Sequence, residues 1–113
     1  MRQMFIPGVA AVVFLIGAGS ASAQSSAADG EKVFAAQKCT ICHSIAAQGN
    51  KKGPLDGVGA KLSADDIRLW VTNAPEMAAK AKAERKPAMK AYTGLSKSEV
   101  DALVAYLQTL KKG

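Results

Sequence analysis

The sequence predicts an all-α fold, and three observations carry that prediction. Apolar residues recur at helical spacing, most clearly at Val100, Leu103, Val104, Leu107 and Leu110. Helix-start signals stand where they should: Ser63-Ala64-Asp65-Asp66, and the capping box Ser96-x-x-Glu99. The stretches between these segments are punctuated by Gly, Pro and Asn, and none reads as a convincing strand. At 113 residues, without an internal repeat or low-complexity segment, the chain has room for one small domain.

The N-terminus reads as a secretory signal peptide. Arg2 is its positive end, and an apolar run follows from Met4 to Ala18, interrupted only by Pro7, Gly8 and Gly17. Small residues then lead to an A-x-A site before Gln24. As a retained anchor the run is short for a span of about 20 residues. The expected division is therefore a cleaved signal peptide, 1–23, and a single domain, 24–113.

A polar lead-in, Gln24 to Ala28, precedes the first helix, predicted to start between Ser26 and Asp29 with either residue as N-cap. Gly30, Val33, Phe34 and Gln37 share one of its faces. A helical glycine costs up to about 1 kcal/mol relative to alanine, so Gly30 suggests that another backbone comes close there. From Ser44 to Gly59, the turn-formers Gly49, Asn50, Gly53, Pro54 and Gly57 predict a loop. The next helix starts at Ser63, with Ile67, Leu69, Trp70 and Val71 as its buried side. Asn73-Ala74-Pro75 interrupts it and opens a short Ala-rich helix, capped by Asn73, that runs to about Glu84. Arg85 to Gly94 is irregular, and the last helix closes with Lys111 and Lys112 at its negative end.

The chemistry-bearing stretch is Cys39-Thr40-Ile41-Cys42-His43, the C-x-x-C-H pattern of c-type haem attachment. Residues three apart lie on one face of a helical turn, so Cys39 and Cys42 can form thioethers with two vinyl groups on one porphyrin edge. His43 then hangs below the ring, where an imidazole nitrogen can ligate iron. These are the only cysteines and the only histidine in the chain. A thioredoxin-like thiol pair would need a preceding strand, and a structural zinc site wants four N or S ligands where three exist. A short-loop disulfide without function is a further alternative, and the thiol-redox pair is the main one that remains.

Once residues 1–23 and with them Arg2 are gone, 14 basic residues face 9 acidic ones, and two haem propionates lower the net charge from about +5 to about +3. Few aromatics and no basic arm speak against nucleic acid. A positive docking face for an acidic protein partner fits better. Lys38, Lys51, Lys52, Lys86 and Lys90 fall in segments that approach the haem. Singly each reads as ordinary surface solvation; together they suggest a positive ring.

Taken together, the residues resemble a small class I c-type cytochrome. Gly30 and Phe34, the attachment pentapeptide, Gly53-Pro54-Leu55, Met89, and Leu103 with Tyr106 all fall in its pattern. Unlike many relatives, this chain has no proline directly after Met89. The resemblance implies a cytochrome c fold of three to five helices wrapped around one covalently attached haem c. It also implies that the terminal helices cross near Gly30, that Phe34 and Tyr106 pack there, and that the Pro54 carbonyl accepts from the histidine. Trp70 is a candidate donor to a haem propionate or a plain core residue.

The sixth ligand follows from counting. Met1 and Met4 leave with the signal peptide, so Met77, within a helix, and Met89, in an irregular loop after a proline, remain. Met89 is the better placed, with Met77 and an open site as the alternatives. His/Met ligation favours Fe(II) and leaves no site for a small ligand, which suits a carrier and not an enzyme. The expected function is periplasmic one-electron transfer by a monomer that meets membranes only through partner complexes. The alternatives are a small haem oxidoreductase with a displaceable Met89 and an electron-transfer subunit of a dehydrogenase.

Overall fold

The computed structural model describes residues 18–112, with side chains from residue 26 onward. Most of the expected signal segment, residues 1–17, lies outside the described residues. Within them run α1 (Ala18–Ala36), a 3-10 turn (Cys39–Ile41), β1 (Ser44–Ile45), β2 (Gln48–Gly49), α2 (Val58–Lys61), α3 (Ala64–Thr72), α4 (Ala74–Ala81) and α5 (Lys97–Gln108).

The first helix begins earlier than its capping signals predict. No proline interrupts residues 18–29 and alanine is the best helix former, so the helix propagates back to Ala18, and Ser26 and Asp29 lie inside it. At its other end Lys38 takes a left-handed conformation (φ 58°, ψ 39°) and turns the chain into the 3-10 turn.

The core is made by α1, α3 and α5, through Phe34, Ile67, Val71, Val100, Leu103, Val104 and Leu107. α1 and α5 are in close contact at Gly30. A Cβ there would stand 2.6 Å from the Ala102 carbonyl carbon and 2.6 Å from Tyr106 Cβ. Phe34 and Tyr106 meet beside this crossing edge to face, with ring centroids 5.8 Å apart.

α3 starts as its residues predict, with Ser63 Oγ accepting from the Asp66 amide at 3.2 Å. Its buried face is Ile67 and Val71, continued by Ala74 of α4. Leu69 is 41% exposed and does not belong to it. Two residues from Ile67 is about 200° around the helix, which points Leu69 away from the core. Arg68 reaches Asp101 of α5 at 2.7 Å. Asn73 separates α3 from α4, but its side chain bonds the Glu76 carboxylate instead of capping α4. α4 stops at Ala81, before Glu84, because Lys82 is left-handed (φ 52°).

The capping box of α5 is complete: Ser96 Oγ accepts from the Glu99 amide at 3.1 Å, and the Glu99 carboxylate accepts from the Ser96 amide at 3.0 Å. The helix ends at Gln108, so Leu110, Lys111 and Lys112 lie beyond its last turn. The tail instead turns onto α2, where the Leu110 carbonyl accepts from the Gly59 amide at 2.8 Å.

The predicted loop after His43 holds more regular structure than its composition suggests. β1 and β2 pair antiparallel, Ser44 with Gly49 and Ile45 with Gln48. Ala46 and Ala47, both at positive φ, form the two-residue connection. A parallel bridge between Ser44 and Pro54 then fixes the rest of the loop against the hairpin.

Candidate functional site

Local backbone bonding makes the attachment turn. The Cys39 carbonyl accepts from the Cys42 amide at 3.2 Å and from the His43 amide at 2.9 Å, so the pentapeptide closes one helical turn. Both cysteines are free and half-buried. Burial pushes the Cys39 thiol above its ordinary value; a backbone hydrogen bond opposes that rise most, Cys42 adds to it, and the Lys90 ammonium opposes it last.

His43 is oriented by one bond. Its Nδ1 lies 3.0 Å from the Gly53 carbonyl oxygen. A carbonyl only accepts, so Nδ1 carries the proton and the Nε2 lone pair is left to bind a metal. Burial lowers the tendency of the ring to protonate, the Gly53 bond opposes that, and Arg85 adds to it. The resemblance places the acceptor one residue later, on Pro54, and here the structure corrects it. The Gly53 carbonyl already takes the Ser44 amide at 3.1 Å, and the Leu55 amide goes to the Ser44 carbonyl at 2.8 Å. That register turns Gly53, and not Pro54, toward the ring.

Gly53 is tightly enclosed. A Cβ on it would run into the Cys42 carbonyl and the Arg85 guanidinium, whose Cζ would be 2.9 Å away. Arg85, at one end of the Met89 segment, thus lies against the attachment loop. At the other end the Tyr92 amide donates to the Val71 carbonyl at 2.9 Å. The Tyr92 phenol is pushed above its ordinary value, first by burial and then by Cys39 and Cys42. Lys90 lies 5.1 Å above that ring. Met89, half-buried, stands in sequence between these two contacts. Met77 is half-buried on α4, which packs on α3. Trp70 is half-buried on α3, outside the buried cluster.

Lys38, Lys51, Lys52, Lys86 and Lys90 are all exposed. Asn50 escaped the sequence reading except as a turn-former. Its side-chain amide donates to the Ile41 carbonyl at 3.0 Å, inside the attachment turn. Asparagine's habit of bonding nearby backbone was the available signal.

The donor set fits a haem: two unpaired thiols one turn apart, and a neutral imidazole anchored at one nitrogen with the other free. Among the described residues no three His, Cys, Asp or Glu side chains gather as a site for a bare ion. The paired strands are two residues long each, which gives no α/β framework for a thioredoxin-like pair. No helix among the described residues is long and apolar enough to cross a membrane. Among known proteins, the family model described as Cytochrome c matches residues 27–111. No curated protein and no solved structure gives a significant match.

Proposed function

Because the chain belongs to the cytochrome c family, and is a haem electron carrier with covalently bound haem c, we propose that it works in the periplasm with His43 and Met89 as the axial ligands of its iron. When bound, the haem supplies the Fe(III)/Fe(II) couple. Cys39 and Cys42 hold it by thioethers from one helical turn. His43 binds through Nε2, and its Nδ1–H bond to the Gly53 carbonyl keeps the ring from rotating and raises its basicity. That anchored imidazole is the observation that carries the proposal.

Met89 offers a soft thioether, which favours Fe(II), and fills the position that O2 or peroxide would need. The support for Met89 over Met77 is the irregular segment that carries it, which lies with Arg85 against Gly53 at one end and is bonded by the Tyr92 amide to the Val71 carbonyl at the other. Export is supported by the leader pattern before Gln24 together with the attachment motif. The exposed Lys38, Lys51, Lys52, Lys86 and Lys90 would steer the carrier to acidic patches on its redox partners, acting on encounter rate more than on affinity.

The deciding experiment replaces sulfur by carbon at constant size. Met89→Leu lowers the reduction potential and lets cyanide bind the ferric protein, while Met77→Leu does neither. Swapped outcomes would move the ligand to Met77. Intact mass of the exported protein gives one haem and loss of residues 1–23; a retained leader would refute the cleavage.

A further inference from the structure

We propose that Asn50 is a positioning residue for the axial histidine, tying the Cys39–His43 turn to the short stretch whose carbonyl orients the imidazole. The inference rests on His43 being the iron ligand.

The bonds form a closed circuit. Asn50 Nδ2 donates to the Ile41 carbonyl at 3.0 Å. Its backbone amide is shared between the Thr40 and His43 carbonyls, each at 3.0 Å. On the other side Asn50 Oδ1 accepts from the Lys52 amide at 3.0 Å, and the Asn50 carbonyl accepts from the Gly53 amide at 3.1 Å. Gly53 then receives His43 Nδ1–H at 3.0 Å. One half-buried residue thus touches three carbonyls of the attachment turn and sets the two amides that lead to the histidine's acceptor.

Side-chain chemistry explains why asparagine stands here. The position needs a donor for Ile41 and an acceptor for Lys52 on one short side chain. Aspartate has no donor, serine does not reach Ile41, and glutamine moves both groups a carbon further out. Without the side chain, stretch 50–53 is held to the turn by backbone bonds and the His43 bond itself, and the Gly53 carbonyl is less firmly aimed. A weaker bond at Nδ1 makes the imidazole a poorer donor to iron, and Fe(III) loses more by that than Fe(II).

The test uses the haem-loaded protein and two readouts, NMR solvent exchange of the His43 Nδ1 proton in the reduced state and the reduction potential. In Asn50→Ala the proton exchanges about two- to tenfold faster, the factor expected from losing a net hydrogen bond or so. The Fe(II)/Fe(III) ratio at fixed applied potential rises by up to about tenfold, a shift of at most about 59 mV for one electron. Asn50→Ser keeps an acceptor for the Lys52 amide and gives a smaller change of the same sign; it carries the test should the alanine variant not assemble. Thr109→Val removes a comparable side-chain bond, Thr109 Oγ1 to the Tyr106 carbonyl at 2.6 Å, beyond the end of α5. It leaves both readouts as in the parent. Parental exchange and potential in the Asn50 variants, or equal changes in Thr109→Val, overturn the inference. A parent whose His43 ring signals are those of an unligated imidazole overturns the ligand reading first and this inference with it.

Discussion

Replacing Gly30 by alanine tests how the two ends of the domain are joined. The new Cβ would stand 2.6 Å from both the Ala102 carbonyl carbon and Tyr106 Cβ, short of ordinary contact at 3.4 Å by about 0.8 Å. The Ala102 carbonyl oxygen would be nearer still. The Ala102 atoms are backbone, so no rotamer change relieves the contact and α1 must move off α5. Overpacking costs about 1–3 kcal/mol, and a rigid obstacle puts this site at the upper end. Alanine returns up to about 1 kcal/mol through helix propensity. The net expectation is a loss of about 2 kcal/mol, which for a domain of this size lowers the melting temperature by roughly 8–16 °C. The Phe34–Tyr106 contact lies beside the crossing, so near-ultraviolet circular dichroism should change as well. The assay is thermal and guanidinium unfolding of the haem-loaded variant against the parent. Gly30→Ala melting at or above the parent would refute the close approach, because propensity alone predicts stabilisation.

Three other outcomes follow from the same structure. Cys42→Ala, with attachment impaired, should leave a chain that is largely unfolded by far-ultraviolet circular dichroism, since among the described residues the core cluster of seven buried side chains is small without the haem; a cooperative, native-like melt would contradict this. Charge reversal at Lys86 and Lys90 should slow electron transfer to an acidic redox partner and flatten its salt dependence, whereas reversal at Lys111 and Lys112 should do much less; stopped-flow rates across a salt series decide it, and equal effects would reduce the ring to net charge. The Arg68 bond is the first cause holding the Asp101 carboxyl below its ordinary value, helped by Lys97. Its stabilisation is therefore present above the unfolded value, about 4, and is lost as pH falls through the lower folded one. Asp101→Asn should lower the melting temperature at neutral pH and cease to matter in acid; a difference that is independent of pH would refute the ion pair.

Features that depend on neighbours a few residues apart were legible in the chain before it folded. The capping box at Ser96, the start of α3 at Ser63 and the helical turn of the attachment pentapeptide are all local hydrogen-bond and spacing problems, and each was readable. Gly30 was readable too, because a costly residue in a helix implies a close approach. Tertiary structure decided the rest. The start of α1 could not be read from Ser26 or Asp29, since a cap signal acts only where nothing better continues the helix. Leu69 points outward because the core, not its own hydrophobicity, chose the buried face of α3. The acceptor for His43 fell to Gly53 instead of Pro54 through the bridge between Ser44 and Pro54, a register set by pairing across ten residues. Asn50 gained its place for the same reason. A loop composition announces a turn, but only the folded backbone says which carbonyls the turn brings to one residue.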